Sequence, residues 1–279
     1  MIEFFNERSV AILLSTFNSS KFLRDQLDSL YSQTFLEWSL YIRDDGSDDR
    51  TIEIVKTYQE KYKNIYIIED NSKRIGPRDS FFKLLSNVDS NYYMFCDHDD
   101  VWLNDKVELT LNMMKNLESE NSQLPILIHT DLVVVDENLN KVNGSFWKYS
   151  GIDPKLLSNF ENLVVCNSIT GCTMMINRYA KTIALPYSPL ALMHDRWIAL
   201  KVANAGGLIR FISESTILYR QHSSNTIGAK RKNITKQVYK MVNMSNLFRS
   251  NVATFRMVNE IRHITICQYV IKKIMFIFN

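Results

Sequence analysis

Long apolar runs are missing from this chain of 279 residues, and no stretch approaches the length of a membrane-spanning helix. Paired cysteines are missing too. Cys96, Cys166, Cys172 and Cys267 lie far apart among apolar or small residues with no C-x-x-C spacing, which argues against a disulfide framework and a structural zinc site. A reducing cytoplasm is the expected compartment. Met1 to Arg8 carries two glutamates and two phenylalanines instead of a basic stretch followed by an apolar one, so no signal peptide is expected. No internal repeat or low-complexity tract is visible.

Acidic residues are scarce at one end only. From Lys230 onward ten Lys and Arg face the single acid Glu260, a net +9 that leaves −6 on the preceding 229 residues of a chain whose total is +3. The shift predicts one large α/β domain over residues 1–228 and a basic amphipathic helical extension over 229–279, whose apolar Val238, Met241, Val270, Ile271 and Ile274 alternate with cations. Such an extension suits the anionic inner face of a membrane, and equally a helical pair packed on its own domain or on a second copy. No fold for nucleic-acid binding accompanies the charge.

What is present is a repeating strand, loop and helix. Val10 to Thr16, Trp38 to Arg43, Ile65 to Ile68 and Tyr92 to Cys96 are apolar without alternation, as in strands covered on both faces. Helical spacing follows the first two, with Phe22, Leu23, Leu27 and Leu30 after Asn18-Ser19-Ser20, and Thr51, Ile54, Val55 and Tyr58 after an acidic loop. The third is followed by Phe81, Phe82, Leu84 and Leu85 behind a cap at Asp79. This alternation predicts a doubly wound parallel sheet. Further on, Pro125 to Val135 and Asn167 to Ile176 read as strands, and Asn138-Leu139-Asn140 as a hairpin turn.

Chemistry gathers where these strands end. Asp97-His98-Asp99-Asp100 closes the fourth strand, and carboxylates crowded at the carboxyl edge of an open sheet repel unless protons or a cation compensate them. Asp97 and Asp99 therefore point to Mg²⁺ or Mn²⁺ with a substrate diphosphate, or else to an acidic turn before a helix starting near Leu103. The loop Asp44 to Asp49 shares that edge with Thr16, Phe17 and Asn18. Asp45 is its candidate for a pyrimidine N3–H, with Asp44 and Asp48 as ordinary turn residues.

The ordered set Ser15-Thr16-Phe17-Asn18, Asp44-Asp45-Gly46-Ser47-Asp48-Asp49, Arg74-Ile75-Gly76, Asp97-His98-Asp99-Asp100-Val101-Trp102, His194-Asp195-Arg196-Trp197 and Tyr219-Arg220-Gln221-His222 resembles the family 2 glycosyltransferases. The resemblance implies the GT-A fold, a doubly wound mixed sheet, and inverting transfer from a nucleotide-sugar. Within the family the last motif and Asp-x-Asp-Asp-x-Trp resemble the rhamnosyltransferases of bacterial surface-polysaccharide synthesis, which implies a dTDP- or UDP-sugar donor and a saccharide acceptor, lipid-linked if the extension meets a membrane. It further implies Thr16, Asn18, Asp45, Arg74, Asp97 and His222 around the donor, Asp99 with Asp97 and His222 at the metal, and Asp195 as the base. Gly171, Cys172, His194 and Trp197 would border the acceptor, Gly171 because a residue without a side chain admits a ligand. Here His194 stands where many members have Glu, beside the base or in its place. Asp97-His98-Asp99-Asp100-Val101 also spells the phosphohydrolase motif of the haloacid dehalogenases, but three βα units precede it. A non-catalytic nucleotide-sugar binder would look alike apart from a lost base or metal residue.

Overall fold

The computed structural model describes residues 9–166, 169–223 and 244–278. Val10–Thr16 (β1) lies at the centre of the first half, and its side chains alternate faces: Ala11 and Leu13 enter one core, Val10, Ile12 and Leu14 the other. Both faces are covered, which is why the strand reads as unbroken apolar sequence. Trp38–Asp44 (β2), Ile65–Ile67 (β3) and Tyr92–Asp97 (β4) join it in the order β3-β2-β1-β4, all parallel. Leu23–Tyr31 (α1), Thr51–Lys61 (α2) and Gly76–Asn87 (α3) are the connections, α1 burying Leu23, Leu27 and Leu30 along one stripe. Each fully buried Leu, Ile or Phe in these layers contributes roughly 1.5–3 kcal/mol.

The second half departs from the parallel sheet. Val101–Trp102 (β5), Lys106–Glu120 (α4), Ile126–Val135 (β6), Lys141–Asn143 (β7), Phe146–Ser150 (α5), Phe160–Val165 (α6), Met175–Asn177 (β8), Arg178–Ala184 (α7), His194–Asn204 (α8) and Leu208–Arg220 (β9) follow. The sheet runs β3-β2-β1-β4-β8-β6-β9-β5, with β7 hairpinned onto β6. β8 is antiparallel to both β4 and β6, β6 is parallel to β9, and β5 is antiparallel to β9. The mixed sheet implied by the resemblance is the one observed.

Local expectations shift for identifiable reasons. The strand expected over Asn167 to Ile176 is three residues, β8, because Gly171–Thr173 forms a 3-10 turn; residues 167 and 168 lie outside the described set. Asp79 is not a cap: α3 begins at Gly76 with Pro77 in its first turn, and Asp79 pairs with Arg78 at 2.8 Å. β5 intervenes before α4, so that helix begins at Lys106 and not near Leu103.

The break at residue 228 falls outside the described residues. Beyond it, Met244–Ile261 (α9) and Ile266–Phe278 (α10) pack on α8 and α6. Met257, Val258, Ile264 and Tyr269 are buried in the same core as Leu13, Phe95 and Ile198. Those four side chains make the extension's inner face continuous with the sheet domain.

Candidate active site

Parallel register sets Thr16 beside Asp44 and Ser15 beside Asp97, so three strand ends open onto one edge. Asp44 is consumed by its own turn, accepting from Thr16 Oγ1 (2.9 Å), Gly46 N (3.0 Å) and Ser47 N (2.8 Å). Asn18, with φ 46°, staples this loop instead of capping α1: its Oδ1 accepts from Asp48 N at 3.0 Å and its N–H donates to Ser47 Oγ at 2.9 Å. Asp45 is buried and accepts from Ile75 N (2.9 Å), Gly76 N (2.8 Å) and Arg43 Nη1 (2.9 Å), clamping the loop that carries Arg74 to the N-terminus of α3. A carboxylate has about four acceptor positions, which leaves one for a base edge. Arg74 stays exposed, pairing with Asp48 at 3.2 Å and lying over the Phe17 ring at 5.4 Å.

Arg43 supports this arrangement, and only its place at the end of an apolar strand hints at it. Its guanidinium is 1% exposed and also donates to Asp70 (2.8 Å), Ser80 Oγ (2.7 Å) and Ser72 O (2.6 Å). A buried cation needs such partners. The hydrogen bond from Arg43 outweighs burial and holds the Asp70 carboxyl well below the usual carboxylate range.

The carboxylates after β4 divide. Asp97 is half-buried, and burial first, then the charges of Asp99 and Asp195, push its carboxyl up. Asp99 and His222, 123 residues apart, meet with Nε2 2.9 Å from Oδ2, and the His222 ring lies 4.7 Å from that of Phe22. Two carboxylates and one imidazole suit Mg²⁺ or Mn²⁺, and a divalent cation relieves the crowding felt by Asp97. The donor types fit the ion, and the Asp99 carboxylate already meets the His222 ring. Asp100 turns into the protein, where Oδ1 accepts from Arg220 N at 3.1 Å and Oδ2 has no hydrogen bond among the described residues. Asp97, Asp100 and Cys172 offer atoms within 4.8 Å of one another, yet burial and the two carboxylates push the Cys172 thiol up, so it packs behind Asp97 as a neutral group.

Asp195 occupies the first turn of α8 and is 9% exposed. Burial pushes its carboxyl up to about 6 against the backbone N–H of Arg196, the Arg196 charge and the Gly171 N–H. His194 is different: its ring is sealed between Phe81 (4.2 Å) and Phe95 (4.9 Å), and neither nitrogen has a partner among the described residues. Burial pushes it down to about 3, which favours the neutral imidazole. Arg196 points away from the edge, donating to Thr254 Oγ1 on α9 (3.1 Å) and to Val164 O on α6 (3.2 Å).

The four acceptor candidates are buried in this structure. At Gly171 the missing side chain leaves room for His194: a Cβ there would lie 2.5 Å from His194 Nε2. Cys172 is buried against Asp97, and Trp197 is 3% exposed with Nε1 donating to Ala184 O at 2.9 Å, so its ring offers no open face to a sugar. Trp147 is likewise part of the core.

A family model described as glycosyl transferase family 2 matches residues 11–184. The dTDP-rhamnosyl transferase RfbG of Shigella flexneri is 26% identical over 231 residues, covering 77% of this chain and 74% of that protein. Among solved structures, TarS of Staphylococcus aureus superposes with a TM-score of 0.59 at 17% identity, over 91% of this chain, which spans 42% of that one. The mannosyltransferase PcManGT of Pyrobaculum calidifontis, solved with GDP-Man and Mn²⁺, gives 0.59 at 13% identity over 91% of this chain and 68% of its own. These two likenesses establish the GT-A fold. With the family match spanning most of the chain and the sheet topology agreeing, the chain belongs to glycosyl transferase family 2.

Proposed function

We propose that this glycosyltransferase moves a sugar, rhamnose first among candidates, with inversion from a dTDP- or UDP-sugar to a hydroxyl of a saccharide acceptor in surface-polysaccharide synthesis. The observation that carries this is the contact of His222 with Asp99 at 2.9 Å at the strand-end edge, with the Asp97 carboxyl pushed up by burial and then by the charges of nearby Asp99 and Asp195. On this reading the proposed metal anchors and the proposed base would share one edge. RfbG's name supports the rhamnosyl reading, and PcManGT's Mn²⁺ supports the metal.

Asp99 would hold Mg²⁺ or Mn²⁺ with Asp97 and His222, and the ion supplies electrophilic stabilisation of the departing diphosphate. Asp45, Arg74 and the stapled turn at Thr16 and Asn18 position the nucleotide. Asp195 takes the proton of the acceptor hydroxyl as it attacks the anomeric carbon from the face opposite the leaving group, a contribution of about 10²–10⁴. Incubation with dTDP-, UDP- and GDP-sugars, scoring sugar transfer against phosphate release, tests the reading. Transfer from dTDP- or UDP-sugars supports it; a GDP preference removes the rhamnosyl assignment, phosphate release alone favours a hydrolase, and binding without either favours a binder.

Location at the cytoplasmic membrane face, on a lipid-linked acceptor, completes the proposal. No helix among the described residues is long and apolar enough to cross a membrane, yet α10 exposes Ile266, Val270, Ile271, Ile274 and Met275. An exposed apolar stripe beside basic residues favours an anionic interface. Ile271→Asp with Ile274→Asp should abolish sedimentation with anionic vesicles; unchanged binding would refute the contact and leave a second copy as the occupant.

A further inference from the structure

Arg220 closes β9 and is 3% exposed, although it carries a charge and no step of the proposed chemistry uses it. Its hydrogen bonds lead to the metal edge and the segments around it. Its backbone N–H donates to Asp100 Oδ1 (3.1 Å), Nε to Asp99 O (2.8 Å), Nη1 to Glu137 O (2.8 Å) and Nη2 to Asp25 Oδ2 (2.8 Å). The guanidinium centre stands 4.6 Å above the Phe22 ring, the same ring against which His222 lies at 4.7 Å.

We infer that Arg220 is a positioning residue that presets the Asp99–His222 pair before any ligand arrives. Three segments distant in sequence meet on one planar fork: the Asp99 turn, the turn after β6 at Glu137, and α1 at Asp25. The fork fixes the Asp99 backbone from one side. Two residues further on, His222 is delivered over Phe22 to the Asp99 carboxylate at 2.9 Å. A guanidinium can hold these directions together because its donors are coplanar and rigid, whereas an ammonium at the same place satisfies only part of them. Partners one shell out from metal ligands typically govern affinity by about 10–100-fold.

The inference rests on the metal-assisted reading, so the test separates the two. Mn²⁺ affinity in the presence of UDP is measured by electron paramagnetic resonance titration for wild type, Arg220→Lys, Asp25→Asn and Asp99→Ala, each checked for a cooperative melt. Arg220→Lys should bind Mn²⁺ about 10–100-fold more weakly while remaining folded, and Asp25→Asn, at a half-exposed partner, should weaken it less. A folded Arg220→Lys with wild-type affinity overturns the positioning role while Asp99→Ala still loses the ion. If Arg220→Lys does not fold, Asp25→Asn decides, and unchanged affinity there overturns the inference. Should Asp99→Ala also bind normally, the metal reading itself has failed.

Discussion

Nη1 of Arg196 donates to Oγ1 of Thr254 at 3.1 Å, tying the residue after the proposed base to a helix of the basic extension. We therefore treat α9 and α10 as structural parts of the catalytic unit, whatever surface α10 meets outside. Truncation at Gly228 would strip Met257, Val258 and Tyr269 from the shared core and leave a largely buried guanidinium without its hydroxyl partner. Expected are a lower melting temperature and loss of transfer. Thr254→Val, which removes a hydrogen bond to a charged group and one to Tyr269, should cost about 1.5–3 kcal/mol in chemical denaturation. A truncated protein that melts and turns over like the full chain would show the extension to be a mere appendage.

Gly171→Ala should damage turnover more than nucleotide binding. The added methyl would meet His194 Nε2 at 2.5 Å and Cε1 at 2.9 Å, and Phe81 and Phe95 close the imidazole's retreat. Overpacking of this kind costs typically about 1–3 kcal/mol. The strain falls on the residue before Asp195, and small displacements of a catalytic group are costly in rate. Measured kcat should drop while UDP affinity holds; unchanged kcat would mean the turn relaxes freely.

Strands β1 to β4 and their ends were legible in the sequence because a doubly covered strand is a continuous apolar run and its terminal polar residues stand out against it, whereas β5 and the partly exposed β9 were not read as strands. Asp97 and Asp99 stand out this way, His222 came only with the family resemblance, and the structure brings Asp99 and His222 into contact. The acceptor side was not. Gly171, Cys172, His194 and Trp197 carry residue types that suit a sugar pocket and a core equally, and only tertiary packing shows that all four are buried. Arg43, Arg196 and Arg220 escaped for a related reason: a buried arginine is recognised by its partners, and those lie far away in sequence, at Asp70, Thr254 and Asp25. Tail charge was legible, but charge alone did not show that the inner faces of α9 and α10 are buried.

Asp99→Ala should abolish transfer and remove the Mn²⁺ dependence of UDP binding, and EDTA should do the same to wild type. Losing Asp99 removes one of the two proposed carboxylate anchors and the partner that holds His222, which loosens the grip on an ion whose other positions are water and phosphate oxygens. Thermal shift with UDP, with and without Mn²⁺, reads the effect directly. Full activity in EDTA would remove the ion from the mechanism.

Asp195→Asn should inactivate the enzyme and stabilise it at once. Burial, which disfavours the charge, pushes its carboxyl up to about 6 from the ordinary 3.8. Between those values the folded chain holds a proton that the unfolded chain has released, so stability falls as pH rises from about 4 to 6 and stays lower above. A carboxyl displaced that far carries about 3 kcal/mol of strain once it is ionised near neutral pH, which Asn, uncharged and of the same shape, does not carry. In metal-free protein near neutral pH the variant should therefore melt higher than wild type, and the two should converge near about pH 4. Transfer runs the other way: it needs the ionised base, so wild-type kcat should rise with pH up to about 6, or somewhat lower when a cation is bound nearby, and then level off. Asp195→Asn should lose that limb along with about 10²–10⁴ of turnover while keeping donor affinity. If the asparagine variant stays active and His194→Ala is dead, the base has been misassigned, and the neutral buried imidazole must open to solvent during the reaction.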